Sequence, residues 1–154
     1  MRYLMTAAAI TLALAGGAEA ATYRLGSLEV ANPWSRPAAA NGNGAGFMVI
    51  TNRGGKPDAL KAVETPLARK AEIHQSSTAG GVMRMQRLDA GLALPAGKAV
   101  TLAPGGYHVM LLGLTKQLKS GDKVPATLVF QSGARMNVEF QVGATAPTAA
   151  HEHH

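Results

Sequence analysis

Residues 123–142 read KVPATLVFQSGARMNVEFQV, and this stretch decides the fold. Val124, Ala126, Leu128 and Phe130 fall on every second position, and Met136, Val138, Phe140 and Val142 repeat the period. Successive side chains of a strand point to opposite faces, so each set forms one apolar face. Ser132-Gly133 between them is a hairpin turn signal. The segment therefore predicts two antiparallel strands that bury one shared face.

Similar short runs recur upstream between Gly, Pro and Asn. Leu28 to Ala31 stops at Asn32-Pro33, and Gly46 to Thr51 stops at Asn52-Arg53-Gly54-Gly55. Ala59 to Val63, Lys70 to His74, Met83 to Leu88, Ala99 to Leu102 and Tyr107 to Leu112 read as further strands. No segment after the leader sustains an apolar period of 3.6 residues. The expected fold is all-β, a Greek-key barrel or sandwich of roughly seven to nine strands. Pro37 to Ala45, with its run of Ala, Asn and Gly, reads as a flexible loop.

The chain begins with Met1-Arg2-Tyr3, an apolar run from Leu4 to Leu14, and Ala18-Glu19-Ala20. This is the anatomy of a cleaved signal peptide over residues 1–20. The apolar run falls short of the ~20 residues that span a bilayer. With no Cys at the cleavage point to carry an acyl chain, membrane insertion or anchoring is not expected. The expected organisation is a leader, one domain over residues 21–144, and a flexible tail over 145–154, in a periplasmic protein.

Losing Arg2 and Glu19 leaves the formal net charge at +6. Lys and Arg are scattered singly, with one Trp and three Tyr in the chain, which argues against a nucleic-acid partner. No GxSxG, HExxH or phosphate-cradling glycine loop is present, so no enzyme activity is expected. The absence of Cys excludes disulfides and thiolate metal sites.

What remains is a set of soft and borderline ligands: His74, Met85, His108 and Met110. Imidazole and thioether together suit monovalent copper better than zinc, magnesium or calcium. Two residues apart on a strand, His108 and Met110 project from one face, about 7 Å apart along the backbone. Singly, each residue has a plainer reading: Met83 and Met85 as core filler, His74 as a surface residue at a strand end. Jointly, they hold both histidines of the expected domain and two of its five methionines. The terminal His151, His153 and His154 fit either a secondary Cu(II) site or a solvated tail.

Several stretches around these residues carry a family resemblance. Ala71-Glu72-Ile73-His74, Gly80-Gly81-Val82-Met83-Arg84-Met85 and Pro104-Gly105-Gly106-Tyr107-His108-Val109-Met110-Leu111 resemble the periplasmic copper chaperones called PCuAC. Asn32-Pro33-Trp34-Ser35-Arg36-Pro37, Gly46 to Asn52 and Leu118 to Asp122 are similar to that family as well. The resemblance implies a cupredoxin-like β-barrel that binds one Cu(I) through His74, Met85, His108 and Met110. It also implies delivery toward the dinuclear copper centre of cytochrome c oxidase, with an oxidase subunit or assembly factor as acceptor. Family members often carry a Met shortly after the first His, where this chain has Gln75, Ser76 and Ser77. The alternatives are a periplasmic copper buffering or resistance protein and a metal-free β-sandwich interaction module of the envelope.

Overall fold

The computed structural model describes residues 20–147. Residues 1–19 of the expected leader and the tail histidines His151, His153 and His154 lie outside the described residues. The described chain is all-β, without a helix. Its strands are β1 (Thr22–Leu25), β2 (Leu28–Ser35), β3 (Gly44–Asn52), β4 (Asp58–Glu64), β5 (Ala68–Ala79) and β6 (Val82–Arg87). They continue as β7 (Leu92–Leu94), β8 (Ala99–Leu102), β9 (Tyr107–Leu114), β10 (Lys123–Phe130) and β11 (Arg135–Val142).

Eleven strands exceed the expected seven to nine, because β1 and β7 add to the runs read from sequence. β7 is three residues long, too short to show a period. β1 is mostly exposed and is held by antiparallel pairing to β2 rather than by an apolar face of its own. β2 does not end at Asn32-Pro33 as expected. The chain crosses that point in a register shift, with Asn32 at φ 52°, and resumes pairing with β3 at Trp34. A bulge lets a strand absorb a proline, which cannot donate to the ladder.

β10 and β11 form the hairpin read from KVPATLVFQSGARMNVEFQV. All eight alternating residues, Val124 through Phe130 and Met136 through Val142, are buried. Strand order runs β6-β5-β9-β8-β3-β2-β11-β10-β4-β7, with β3 also paired to β9. Ile73, Val109 and Leu111 from one half share a single core with Leu60, Leu128 and Phe130 from the other. The sheet therefore curls over itself into a barrel left open between its end strands β6 and β7. Burying each Val, Leu, Ile or Phe side chain contributes roughly 1.5–3 kcal/mol.

The segment expected to be a flexible loop is tied down. Ala38 exchanges backbone hydrogen bonds with Leu118 at 3.0 and 2.8 Å, and the Asn41 amide donates to the Leu114 carbonyl at 2.8 Å. Its last residues, Gly44 and Ala45, already belong to β3, opposite Leu111 and Met110 of β9. The composition of the segment matched a loop, but its backbone groups find partners on neighbouring chain.

Gly46 marks a point where the barrel is closed tightly. A Cβ there would lie 2.9 Å from Cε1 of the fully buried Phe140. Gly46→Ala is expected to lower stability by about 1–3 kcal/mol, the usual cost of overpacking, read as a shift in the urea midpoint. A second test concerns Glu29, whose carboxylate accepts hydrogen bonds from Arg53 and Arg24, both at 2.9 Å. Chiefly the Arg53 hydrogen bond, and then Arg24, hold its pKa below the ordinary 4.5 against the opposing effect of burial. A depressed carboxylate stabilises the fold above its ordinary pKa, and that contribution fades as pH falls through the folded value. Glu29→Gln should therefore be less stable at neutral pH and lose less stability on acidification below 4.5.

Candidate metal centre

Three adjacent strands carry the sequence-predicted ligands. β5 lies between β9 and the edge strand β6. His74 on β5 stands directly opposite His108 on β9. One residue over, Ile73 faces Val109, and both are buried in the core. Because side chains alternate, His74 and His108 project from the opposite face. Met110 is across from Glu72 in the same ladder. Met85 on β6 is across from Ser76, two residues beyond His74. Cross-strand partners share a face, so His74, His108, Met85 and Met110 all lie on the outer face of this three-stranded patch. The two histidines form its centre, with Met110 and Met85 at its two ends.

The histidine rings are close, with centroids 5.6 Å apart and planes at 67°. His108 is buried, at 5% exposure. Each ring uses one nitrogen: His74 Nε2 lies 2.7 Å from Glu72 Oε2, and His108 Nδ1 lies 3.2 Å from the Gly106 carbonyl. The other two nitrogens, His74 Nδ1 and His108 Nε2, are buried without a hydrogen-bond partner among the described residues. An unsatisfied buried polar atom costs about 1–3 kcal/mol. Two of them on facing rings fit a cation better than they fit packing.

No group of three or more His, Cys, Asp or Glu among the described residues could hold a metal. The further donors on the face of the two histidines include the thioethers of Met85 and Met110, which favour a soft ion. Met110 is half-buried beside His108, whereas Met85 is 51% exposed on the edge strand.

Two single-residue expectations are corrected by this arrangement. Met83 is not core filler: it is 69% exposed, and Val82 and Met85 on the same strand are also exposed. The hairpin of β5 and β6 runs past the barrel, so alternation on β6 does not report burial. His74 does not close a strand either. β5 continues through Gln75-Ser76-Ser77-Thr78 to Ala79, because β6 pairs with every one of these polar residues.

Glu72 is the site residue that sequence reading passed over. Its Oε1 receives Lys70 Nζ at 2.9 Å and Arg87 Nη1 at 3.3 Å, while Oε2 faces His74. Its hydrogen bond with His74, then that with Lys70, lowers its pKa from 4.5 to about 2, so the carboxylate is ionised. The available signal was its place two residues before His74 on one strand, which puts both on one face.

Known proteins share the fold of this chain. Residues 28–142 match the family described as "Putative lipoprotein LpqE-like". The chain is 32% identical over 144 residues to "Putative lipoprotein Lxx21020" of Leifsonia xyli subsp. xyli, covering 89% of this chain and 86% of that protein. Among solved structures, "Copper-bound PCuAC domain from PmoF2" is 28% identical with a TM-score of 0.69, over 81% of this chain and 99% of that one. "Solution structure of CuI-DR1885 from Deinococcus Radiodurans" is 33% identical with a TM-score of 0.57, over 71% of this chain and 75% of that one. The chain thus belongs to the LpqE-like family, and its barrel has the cupredoxin-like fold of the PCuAC domains it resembles.

Proposed function

We propose that this chain is a periplasmic copper chaperone that binds one Cu(I) through His74, Met85, His108 and Met110. The observation that carries the reading is the facing pair His74 and His108, each with a buried, unpartnered ring nitrogen, flanked by two thioethers on one sheet face. The copper-bound structures similar to this chain support copper as the cargo.

The donor set suits transport. Two neutral imidazoles and two thioethers leave Cu(I) its single positive charge. Without thiolate, the ion should pass readily to an acceptor with stronger ligands. Exposed Met85 supplies the accessible edge at which a ligand can be exchanged, while buried His108 holds from within. No step in such a transfer makes or breaks a covalent bond of the protein, so the role is that of a carrier rather than an enzyme. Delivery to the dinuclear centre of cytochrome c oxidase, through an oxidase subunit or assembly factor, is the route we favour from the PCuAC resemblance. The tail histidines His151, His153 and His154 would add a weaker Cu(II) site.

A Cu(I) titration of the protein starting at Ala21, against a chromophoric chelator, tests the reading. One equivalent should bind, and His108→Ala/Met110→Ala should abolish that uptake. Replacing the three tail histidines should leave it unchanged. No uptake by the parent, or uptake indifferent to the double substitution, would make the protein a metal-free envelope module.

A further inference from the structure

The four ligands do not explain why Glu72, an ionised and largely buried carboxylate, is held by three partners on the same face as the histidines. Its side chain is 13% exposed. Oε1 is occupied by two cations, Lys70 from its own strand and Arg87 from β6. That leaves Oε2 aimed at His74 Nε2 across 2.7 Å.

A carboxylate without a proton can only accept, so the proton in this contact is carried by His74 Nε2. In a neutral imidazole the second nitrogen is then a bare acceptor. The same deduction runs in the opposite sense at His108. There Nδ1 faces the Gly106 carbonyl, which has no proton to give, so Nδ1 carries the hydrogen and Nε2 is bare. The bare nitrogens deduced in this way, Nδ1 of His74 and Nε2 of His108, are the two buried atoms that lack a partner.

We propose that Glu72 is a positioning residue that locks His74 in its Nε2–H tautomer, so that His74 meets Cu(I) through Nδ1 while His108 does so through Nε2. Lys70 and Arg87 are the struts of this lock, since they stop the carboxylate from rotating away. Because Arg87 lies on β6, the same contact ties the strand carrying Met85 to the strand carrying His74. A carboxylate behind a ligating imidazole raises its basicity as well as fixing its orientation. The inference rests on the copper reading above for its metal half, whereas the tautomer lock belongs to the metal-free protein.

The test is long-range 1H–15N NMR of the histidine rings, first without metal and then with Ag(I), a diamagnetic d10 stand-in for Cu(I) whose nuclear spin couples to directly bound nitrogen. The metal-free parent should show His74 protonated at Nε2 and His108 at Nδ1. In Glu72→Ala, His74 should become a tautomer mixture while His108 is unchanged. Glu72→Gln, whose amide oxygen still accepts, should restore the parent tautomer. Silver coupling should appear at Nδ1 of His74 and Nε2 of His108. Cu(I) affinity should fall about 10–100-fold in Glu72→Ala, the usual cost of losing such a partner, and less in Glu72→Gln. Nδ1 protonation of His74 in the parent, or a Glu72→Ala protein with the parent's tautomer and affinity, would overturn the proposal. The expected tautomers with no silver or copper uptake would overturn the copper reading and the metal half, leaving only the lock.

Discussion

The antiparallel pairing of β5 with β9 is the constraint from which the site follows. It sets His74 opposite His108, and Ile73 opposite Val109 at the adjacent rung. Alternation sends the second pair into the core and the first to the outer face. A slip of β5 by one residue would turn His74 toward the core in place of Ile73 and take it away from His108. The same packing energy that closes the barrel therefore holds the two rings at 5.6 Å. Strand β9 is further fixed by β3, whose Gly44, Ala45 and Gly46 face Leu111, Met110 and Val109. Of these, Gly46 also lets the Phe140 ring close against the sheet.

Strand pairing thins across the patch from β9 to the edge strand β6. β9 is paired on both sides and supplies His108 and Met110. β5 is paired on both sides over His74. β6 has a single neighbour and supplies Met85 from an exposed edge. One end of the proposed ligand set is thus embedded in the barrel and the other reaches solvent, where an incoming donor could displace a thioether without opening the core. The contact of Glu72 with Arg87 fastens the edge strand to the barrel.

Much of this was legible in the sequence, and what was not has physical causes. The β10–β11 hairpin could be read residue by residue because one face is wholly buried, which forces strict alternation. The exposed arm of β5 and β6 could not, because no burial disciplines its pattern. The strand read over Lys70 to His74 runs on through Gln75-Ser76-Ser77-Thr78, and Met83, read as core filler, is exposed. The pairing of His108 with Met110 follows from a two-residue spacing within one strand. Bringing His74 opposite His108 depends on strand register across thirty-odd intervening residues, which spacing alone does not specify. Glu72 was passed over because a lone carboxylate on a strand has no pattern of its own; its meaning lies in Lys70, His74 and Arg87 converging on it.

The proposed site is a mixed imidazole and thioether shell around one monovalent copper. X-ray absorption at the copper K edge of the Cu(I)-loaded protein reads that shell directly. The spectrum should show the edge shape of Cu(I), nitrogen scatterers at about 2.0 Å with the outer-shell signature of imidazole, and sulfur scatterers at about 2.3 Å, distances taken from comparable borderline d10 sites. A shell of nitrogen and oxygen alone, with no sulfur, would contradict it and remove Met85 and Met110 from the site.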